Sequence, residues 1–562
     1  MHDLVIRGGT VVDGTGAEPR IADVAIDGGK VTSVGKGAAA GRREVDARHL
    51  LVTPGFVDIH THYDGQATWD PFLTPSSWHG VTTVVFGNCG VGFAPVRKGA
   101  APYLINLMEG VEDIPGTVLA EGVKFDWESF PQFLDTLDAA PKVMDIGAQV
   151  PHAALRFYVM GERGADHANA PTPDEIAGMG SLLEEALRAG ALGFTTSRTV
   201  KHRAADGRAT PSLSAREPEL FGLAQAMKRA GRGVIEVNSD FGPGEFEILR
   251  TAAEVSGRPL SVLLLQVNNA PGLWRETRAQ IHEARKAGLD VSGQVGCRPI
   301  GVLMGLETTM HPFSTHPAWL EMKDLGPAAR YDRLVRDANL RRRLVGERPA
   351  DEHTKRIAAA FHRIYPMDDA YDYEPEPASS LAGRATATGA DPWQLALDAM
   401  MARGGKQLLS DAFENYTEGS LDNIREMLAD EATVMGIADG GAHVCTVCDA
   451  SSPTFLLTHW ARDRKRGERL PLEFVVAKHT RATAHAYGLR DRGILAPGMR
   501  ADLNVIDFDR LGVKRHEVVY DLPAGGKRLI QRAQGYRHTF VAGVETLQDD
   551  EHTGALPGRL LR

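Results

Sequence analysis

The rhythm of apolar and polar positions changes twice along this chain. Over residues 1 to about 53, short apolar runs alternate with turn residues. Leu4-Val5-Ile6 and Thr10-Val11-Val12 flank Arg7-Gly8-Gly9, and Val24-Ala25-Ile26 leads through Asp27-Gly28-Gly29-Lys30 into Val31-Thr32-Ser33-Val34. Asp-Gly and Gly-Gly between apolar runs predict hairpins. From residue 55 the pattern becomes strand then helix, repeated. Strands are expected at 55–62, 82–88, 145–151, 191–197, 233–238, 260–266, 290–295 and 433–438, with amphipathic helices at 173–189, 216–230, 244–256 and 274–287. Gly190, Gly231, Gly257 and Gly288 close those helices, where a C-cap favours φ > 0.

Eight β segments alternating with helices predict an α/β fold, a (β/α)8 TIM-type barrel whose active site lies at the strand C-termini. Between strands seven and eight, residues 296–431 are too many for a loop and contain helical stretches near 327–345, 353–363 and 391–402. A compact barrel does not carry that much structureless chain, so an inserted lid or subdomain over the mouth is expected. After residue 490 the β pattern returns, in 493–507 and 536–544. Both chain ends are therefore expected to form one composite β domain, a small β-sandwich from 1–53 and 490–562, beside a barrel over 54–489.

Composition narrows the function classes. Of 562 residues 43% are apolar and 24% charged, as in an ordinary globular protein, and the net charge is −10. That mild charge gives no reason to expect nucleic acid or an anionic membrane as partner. Residues 1–7 lack the basic and apolar regions of a secretory signal, and no run of about 18 apolar residues exists. Cys89, Cys297, Cys445 and Cys448 are too few for a disulfide framework. A cytoplasmic protein is the default expectation.

The chemistry is densest in Gly55-Phe56-Val57-Asp58-Ile59-His60-Thr61-His62. On a strand, positions i and i+2 share a face, so His60 and His62 can converge on one point. Two neutral imidazoles at a strand end suit Zn²⁺ or a similar divalent ion. Arg198, ending strand four, is a candidate for a substrate carboxylate, because guanidinium pairs with carboxylate bidentately. His152, ending strand three, and His443, beyond strand eight, are expected at the barrel mouth, where either can hold an oxyanion. His311 and His316 open the insertion and are weaker candidates for lining the pocket. Cys445 and Cys448 stand at CxxC spacing, but a structural zinc needs a second pair of ligands.

Three segments together resemble the amidohydrolase superfamily: the opening hairpins with His60-Thr61-His62, Asp439 after strand eight, and Leu495-Ala496-Pro497-Gly498-Met499-Arg500-Ala501-Asp502-Leu503. Gly80-Val81-Thr82-Thr83-Val84-Val85-Phe86-Gly87-Asn88-Cys89-Gly90 is similar to the N-acyl-D-amino-acid deacylase (D-aminoacylase) branch. The resemblance implies metal ligation by His60, His62, Cys89 and Asp439, with one or two zinc ions. It implies hydrolysis of a linear amide in a small N-acylated substrate, Asp439 acting as general base and then general acid. A cyclic amide hydrolase of the dihydropyrimidinase kind and a non-catalytic scaffold on the same fold are the alternatives, and a homo-oligomer is left open.

One departure stands out. The branch offers a metal-binding histidine at the ends of strands five and six, whereas this chain has Glu236-Val237-Asn238-Ser239-Asp240 and Gln266-Val267-Asn268 there. No lysine ends strand four. The substitutes within reach in the sequence are Glu236, Asp240, Asn238 and His202, with the carboxylates favoured over the amide for a divalent ion.

Overall fold

A computed structural model describes residues 1–368 and 371–562. Eight parallel segments follow the expected order, here β1 to β8: Phe56–Asp58, Val81–Phe86, Asp145–Ala148 continuing as Val150–Pro151, Gly193–Arg198, Val234–Ser239, Leu260–Leu263, Val291–Val295 and Thr433–Met435. They lie in two ladders. One joins β1, β2 and the first half of β3; the other runs from the second half of β3 through β4, β5, β6 and β7 to β8. The break in β3 falls at Gln149, whose N–H still donates to Phe86 O at 2.9 Å. Beyond the ladder ends, the extensions of β1 and β8 meet at an isolated parallel bridge, Thr61 with Gly440. The result is a mixed α/β fold.

The ladders end earlier than the apolar pattern predicts. His60 and His62 lie beyond β1, and residues 436–438 lie beyond β8. Backbone there leaves the ladder to carry side chains, which the alternation of residues alone does not reveal. The helices match more closely: Pro173–Ala189, Glu217–Ala230, Glu245–Ser256 and Leu273–Lys286. The first has a capping box between Thr172 and Glu175, and its acidic first turn complements the helix dipole.

Val57, Ile59, Val85, Leu192, Val234 and Val434, from segments of both ladders, pack together with Leu561. Both chain ends contribute to one nine-stranded sheet, in which Leu503–Ile506 pairs antiparallel with Leu51–Pro54. Its core includes Leu4, Ile6, Val24, Val52, Val505 and Phe540.

The insertion has its own apolar core, centred on Phe313, Trp319, Leu334, Leu344, Ile357 and Trp393. Its helices include Pro327–Arg336, Ala338–Gly346, Glu352–Ala360 and Pro392–Gly405. The single stretch expected at 327–345 is divided at Asp337, whose side chain caps the second helix through Leu340 N at 2.9 Å. Three antiparallel strands, Ile300–Met304, Ile364–Pro366 and Leu409–Glu414, were not expected. Among the described residues no helix is long and apolar enough to cross a membrane.

Candidate active site

The strand ends bring His60, His62 and Cys89 together. One ligand atom from each lies within 4.8 Å of the others, and all three side chains are buried. His60 Nε2 is 3.5 Å from Cys89 Sγ. Asp439 Oδ1 stands 3.5 Å from His60 Nε2 and 3.7 Å from His62 Nε2. A tetrahedral zinc with bonds of about 2.0–2.3 Å has ligand atoms about 3.3–3.8 Å apart, which these three distances match, while Asp439 stands beside the His60–His62–Cys89 triad and not within it. Two imidazoles, a thiol and a carboxyl group also suit zinc chemically.

Local sequence explains how each group arrives. Asn88 donates to Thr61 O at 3.0 Å and Val85 O at 3.1 Å, tying the loop after β2 to the end of β1. Gly90 lets that loop lie on β4: its φ is +69°, and a Cβ there would stand 2.6 Å from Ser197 N. Cys89, Ile437, Asp439 and His443 are non-glycine residues with φ between 48° and 57°. Left-handed conformations of this kind are costly for most residues and cluster at functional sites.

The electrostatics follow from burial. His60 is pushed down to about 4 and is neutral at physiological pH. Its Nδ1 lies 2.8 Å from Gln294 Oε1, which places the proton on Nδ1 and leaves Nε2 free toward Cys89 and Asp439. Burial pushes the Cys89 thiol well above its ordinary value, and Glu236, Glu112 and Asp439 push it further. Asp439 is likewise raised well above the usual carboxyl range, chiefly by burial.

The residues offered as substitutes sit in different places. Glu236 lies behind the cluster: Oε2 accepts the Cys89 N–H at 2.9 Å, and Oε1 is 3.8 Å from His60 Nδ1, the nitrogen turned away from the sulfur. Asp240 is held by the loop after β4, through Thr199 Oγ1 at 2.6 Å and Val200 N at 2.8 Å. His202 comes nearer to the thiol. Its Nδ1 is 2.9 Å from Ser197 Oγ, and its Nε2 is 3.3 Å from Asn238 Nδ2, which also donates to Cys89 Sγ at 3.6 Å. Gln266 is turned to the insertion, its Oε1 accepting from Asn423 Nδ2 at 2.8 Å.

Several expected substrate contacts are occupied otherwise. Arg198 donates to both carboxyl oxygens of Glu245 and, at 2.7 Å, to Ala215 O, so its guanidinium is not open to a ligand. His152 does not face the mouth: it bonds Thr196 Oγ1 and Glu219 Oε1, each at 2.9 Å, in a buried group with Arg156. His311 and His316 belong to the insertion's interior. His311 packs edge-on to Trp319, with centroids 4.2 Å apart, and His316 caps the helix Pro317–Leu320. Cys445 and Cys448 join no cluster of potential metal ligands among the described residues. His443 does reach the site, with Nε2 3.6 Å from Glu112 Oε2.

Glu112 and Gln294 were missed by sequence reasoning. A signal for Glu112 existed, because residues 104, 108 and 112 share one face of the helix Ala101–Glu112, whose other members there, Leu104 and Met108, are buried. That helix presses on the loop after β4 at Gly110, where a Cβ would lie 2.2 Å from Ala204 C and Ala205 N. Glu112 and His202 are thus delivered by two segments in contact.

Beside the site, a cavity of about 290 Å³ is lined by Asn238, Lys201, Phe241, Leu263, Leu265 and Trp274, among others. Larger cavities, of about 460 and 590 Å³, lie between the insertion and an antiparallel ribbon formed by the strands Gly512–Leu522 and Gly526–Gln534, and touch none of the clustered residues.

The similarity to known proteins spans the whole chain. A D-aminoacylase of Alcaligenes xylosoxydans xylosoxydans is 28% identical over 574 residues, covering 100% of this chain and 97% of the relative. A solved D-aminoacylase, described as having a binuclear metal centre with one-metal activation and second-metal attenuation, superposes with a TM-score of 0.66 at 25% identity, covering 100% of both chains. An N-acyl-D-glutamate deacylase of Bordetella bronchiseptica, solved with zinc and a phosphonate mimic of the tetrahedral intermediate, gives a TM-score of 0.66 at 25% identity over 100% of this chain and 99% of its own. Residues 43–546 match the profile of the Amidohydrolase family, and the chain belongs to that family.

Proposed function

We propose that this chain is a metal-dependent hydrolase of linear amides that deacylates an N-acyl-D-amino acid to a carboxylate and a free amino acid. The observation that carries the reading is the meeting of His60, His62 and Cys89, with Asp439 Oδ1 3.5 Å from His60 Nε2 and 3.7 Å from His62 Nε2 beside them. The full-length similarity to deacylases of D-amino acids supplies the substrate class. The eight strands are read as a (β/α)8-type barrel with the site at its C-terminal mouth. We take the chain to divide into 1–53 with 490–562 as one β domain and 54–489 as the hydrolase domain, carrying an insertion over 296–431.

His60, His62, Cys89 and Asp439 would hold the ion, which we take to be a single zinc because Asn238 and Gln266 stand where the branch has histidines. A divalent ion held there supplies Lewis acidity, which polarises an acyl carbonyl and acidifies water. The protein's own part is positioning and proton transfer. Gln294 fixes the His60 tautomer, and the Asn238 amide donates to the sulfur and lowers its charge cost. Asp439 takes a proton from the attacking water and delivers it to the leaving amine. The neighbouring cavity, with Phe241, Leu263, Leu265 and Trp274 in its wall, offers room for an apolar part of a small substrate.

The reading is tested by metal analysis together with an assay of N-acyl-D-amino acids, N-acyl-L-amino acids and a hydantoin. Stoichiometric zinc with turnover confined to the linear D-substrates is expected. Protein that takes up no transition metal, or that opens only the hydantoin ring, would refute it.

A further inference from the structure

Glu112 is 1% exposed and His62 2%. Both carboxyl oxygens of Glu112 and Nδ1 of His62 are buried without a hydrogen-bond partner among the described residues. Unsatisfied buried polar atoms are rare in folded proteins and call for a physical reason. Here the orphaned atoms face one another: Glu112 Oε1 is 3.4 Å from His62 Nδ1, and Oε2 is 3.6 Å from His443 Nε2. Among the described residues no lysine or arginine pairs with Glu112, so histidines are its only charged or chargeable neighbours at ion-pair distance. The backbone closes the same gap, since His443 N donates to Glu112 O.

We propose that Glu112 is a positioning residue, a carboxylate that accepts the Nδ1–H of His62 and so aims His62 Nε2 at the point shared with Cys89 and Asp439. The proposal rests on the reading that this cluster holds a divalent ion. Its logic is that of the carboxylate–histidine–metal triad, in which a carboxylate behind the imidazole fixes the tautomer and raises the basicity of the ligating nitrogen. The two histidines are thereby unequal. His60 is backed by a neutral amide, Gln294 Oε1 at 2.8 Å, whereas His62 is backed by a carboxyl group. The second oxygen of Glu112 extends the arrangement to His443, whose side chain is 28% exposed and so reaches the mouth. One carboxylate then orients a ligand and an imidazole at the entrance together.

The test compares wild type, Glu112→Gln and Glu112→Ala. Three quantities are read: zinc affinity by competition with a chelator, the visible spectrum of the cobalt-substituted protein, and the melting midpoint of the metal-free protein. Glu112→Gln keeps an acceptor oxygen without charge and is expected to weaken zinc binding about 10-fold; Glu112→Ala is expected to approach 100-fold. The cobalt spectrum shifts in both. The metal-free variants melt no lower than wild type, because without the ion the Glu112 oxygens, at 3.4 and 3.6 Å from His62 and His443, make no hydrogen bond that stabilises the fold. Unchanged zinc affinity with an unchanged cobalt spectrum overturns the proposal. So does a fall in metal-free stability that by itself accounts for the lost affinity, since that is a purely structural role. Wild-type protein that binds no zinc refutes the functional reading itself, an outcome distinct from wild-type binding that Glu112→Gln leaves intact.

Discussion

The amide of Asn238 donates to the sulfur of Cys89 across 3.6 Å, from the strand end where a histidine was expected. The same Nδ2 lies 3.3 Å from His202 Nε2. One amide therefore couples the thiol to an imidazole that the loop after β4 contributes.

That coupling predicts non-additive mutations. Asn238→Ala and His202→Ala are each expected to weaken zinc binding about 10-fold, as losses around a metal ligand commonly do. The double variant should lose little more than either single one, because residues in one network share their energy. Chelator competition on the four proteins measures this; strictly additive losses would show that His202 acts independently.

Asp439→Asn should lose turnover even where excess zinc restores full occupancy. The amide keeps the shape of the side chain but cannot take a proton, and general base and acid catalysis commonly contributes about 10²–10⁴-fold. The check is kcat on an N-acyl-D-amino acid beside metal content. Turnover within a few-fold of wild type would assign the proton transfer elsewhere.

Metal affinity should rise with pH. The Cys89 thiol is raised well above its ordinary value by burial and the carboxyl groups around it, so the metal-free protein holds that proton at neutral pH. Ligation requires the thiolate, so uptake releases at least one proton, and affinity gains about tenfold or more per pH unit below the thiol's raised value. His60, lowered to about 4, contributes no release above about pH 5. Calorimetry in buffers of different ionisation enthalpy counts the protons; a pH-independent affinity would contradict the thiolate's role.

The insertion is fastened by an ion pair with its own pH signature. Glu374 receives Arg464 Nη2 at 3.0 Å, Arg464 Nε at 3.1 Å and Leu421 N at 2.8 Å. Burial alone would raise this carboxyl, but His459 and Arg464 bring it down to about 2. A carboxyl lowered in the folded state adds stability above its unfolded value of about 4.5, and that contribution fades as pH falls toward 2. Glu374→Gln should cost about 3–5 kcal/mol at neutral pH, as for a buried pair that loses one partner. The difference from wild type should shrink between about pH 4.5 and 2, followed by urea denaturation of the metal-free proteins. A difference constant across that range would rule out the ion pair as its source.

How much of this was legible depends on sequence distance. His60 and His62 are two residues apart, so strand geometry alone brings them to one face. The order of the β segments and the helices 173–189 and 217–230 follow from local periodicity and caps. Arg198 was misread because its partner, Glu245, lies 47 residues downstream, and no local pattern shows that a guanidinium is already engaged. His152 failed likewise, through Glu219 67 residues away. The strands 300–304, 364–366 and 409–414 pair across a long insertion, and such non-local pairing leaves only a weak trace in short apolar runs. Glu112 is the instructive case: an acidic residue on the apolar face of a helix is an anomaly in sequence, but its meaning needs His62 beside it.

Gly110 touches neither the clustered ligands nor the cavity, yet an added methyl would sit 2.2 Å from the backbone of Ala204 and Ala205. Gly110→Ala would therefore act as a wedge between the helix that ends in Glu112 and the loop that carries His202. Both groups would be displaced together, from a position that no inspection of ligands would single out. The helix and the loop are packed too closely there to admit one further carbon atom, so the placing of Glu112 and His202 depends on the absence of a side chain at position 110.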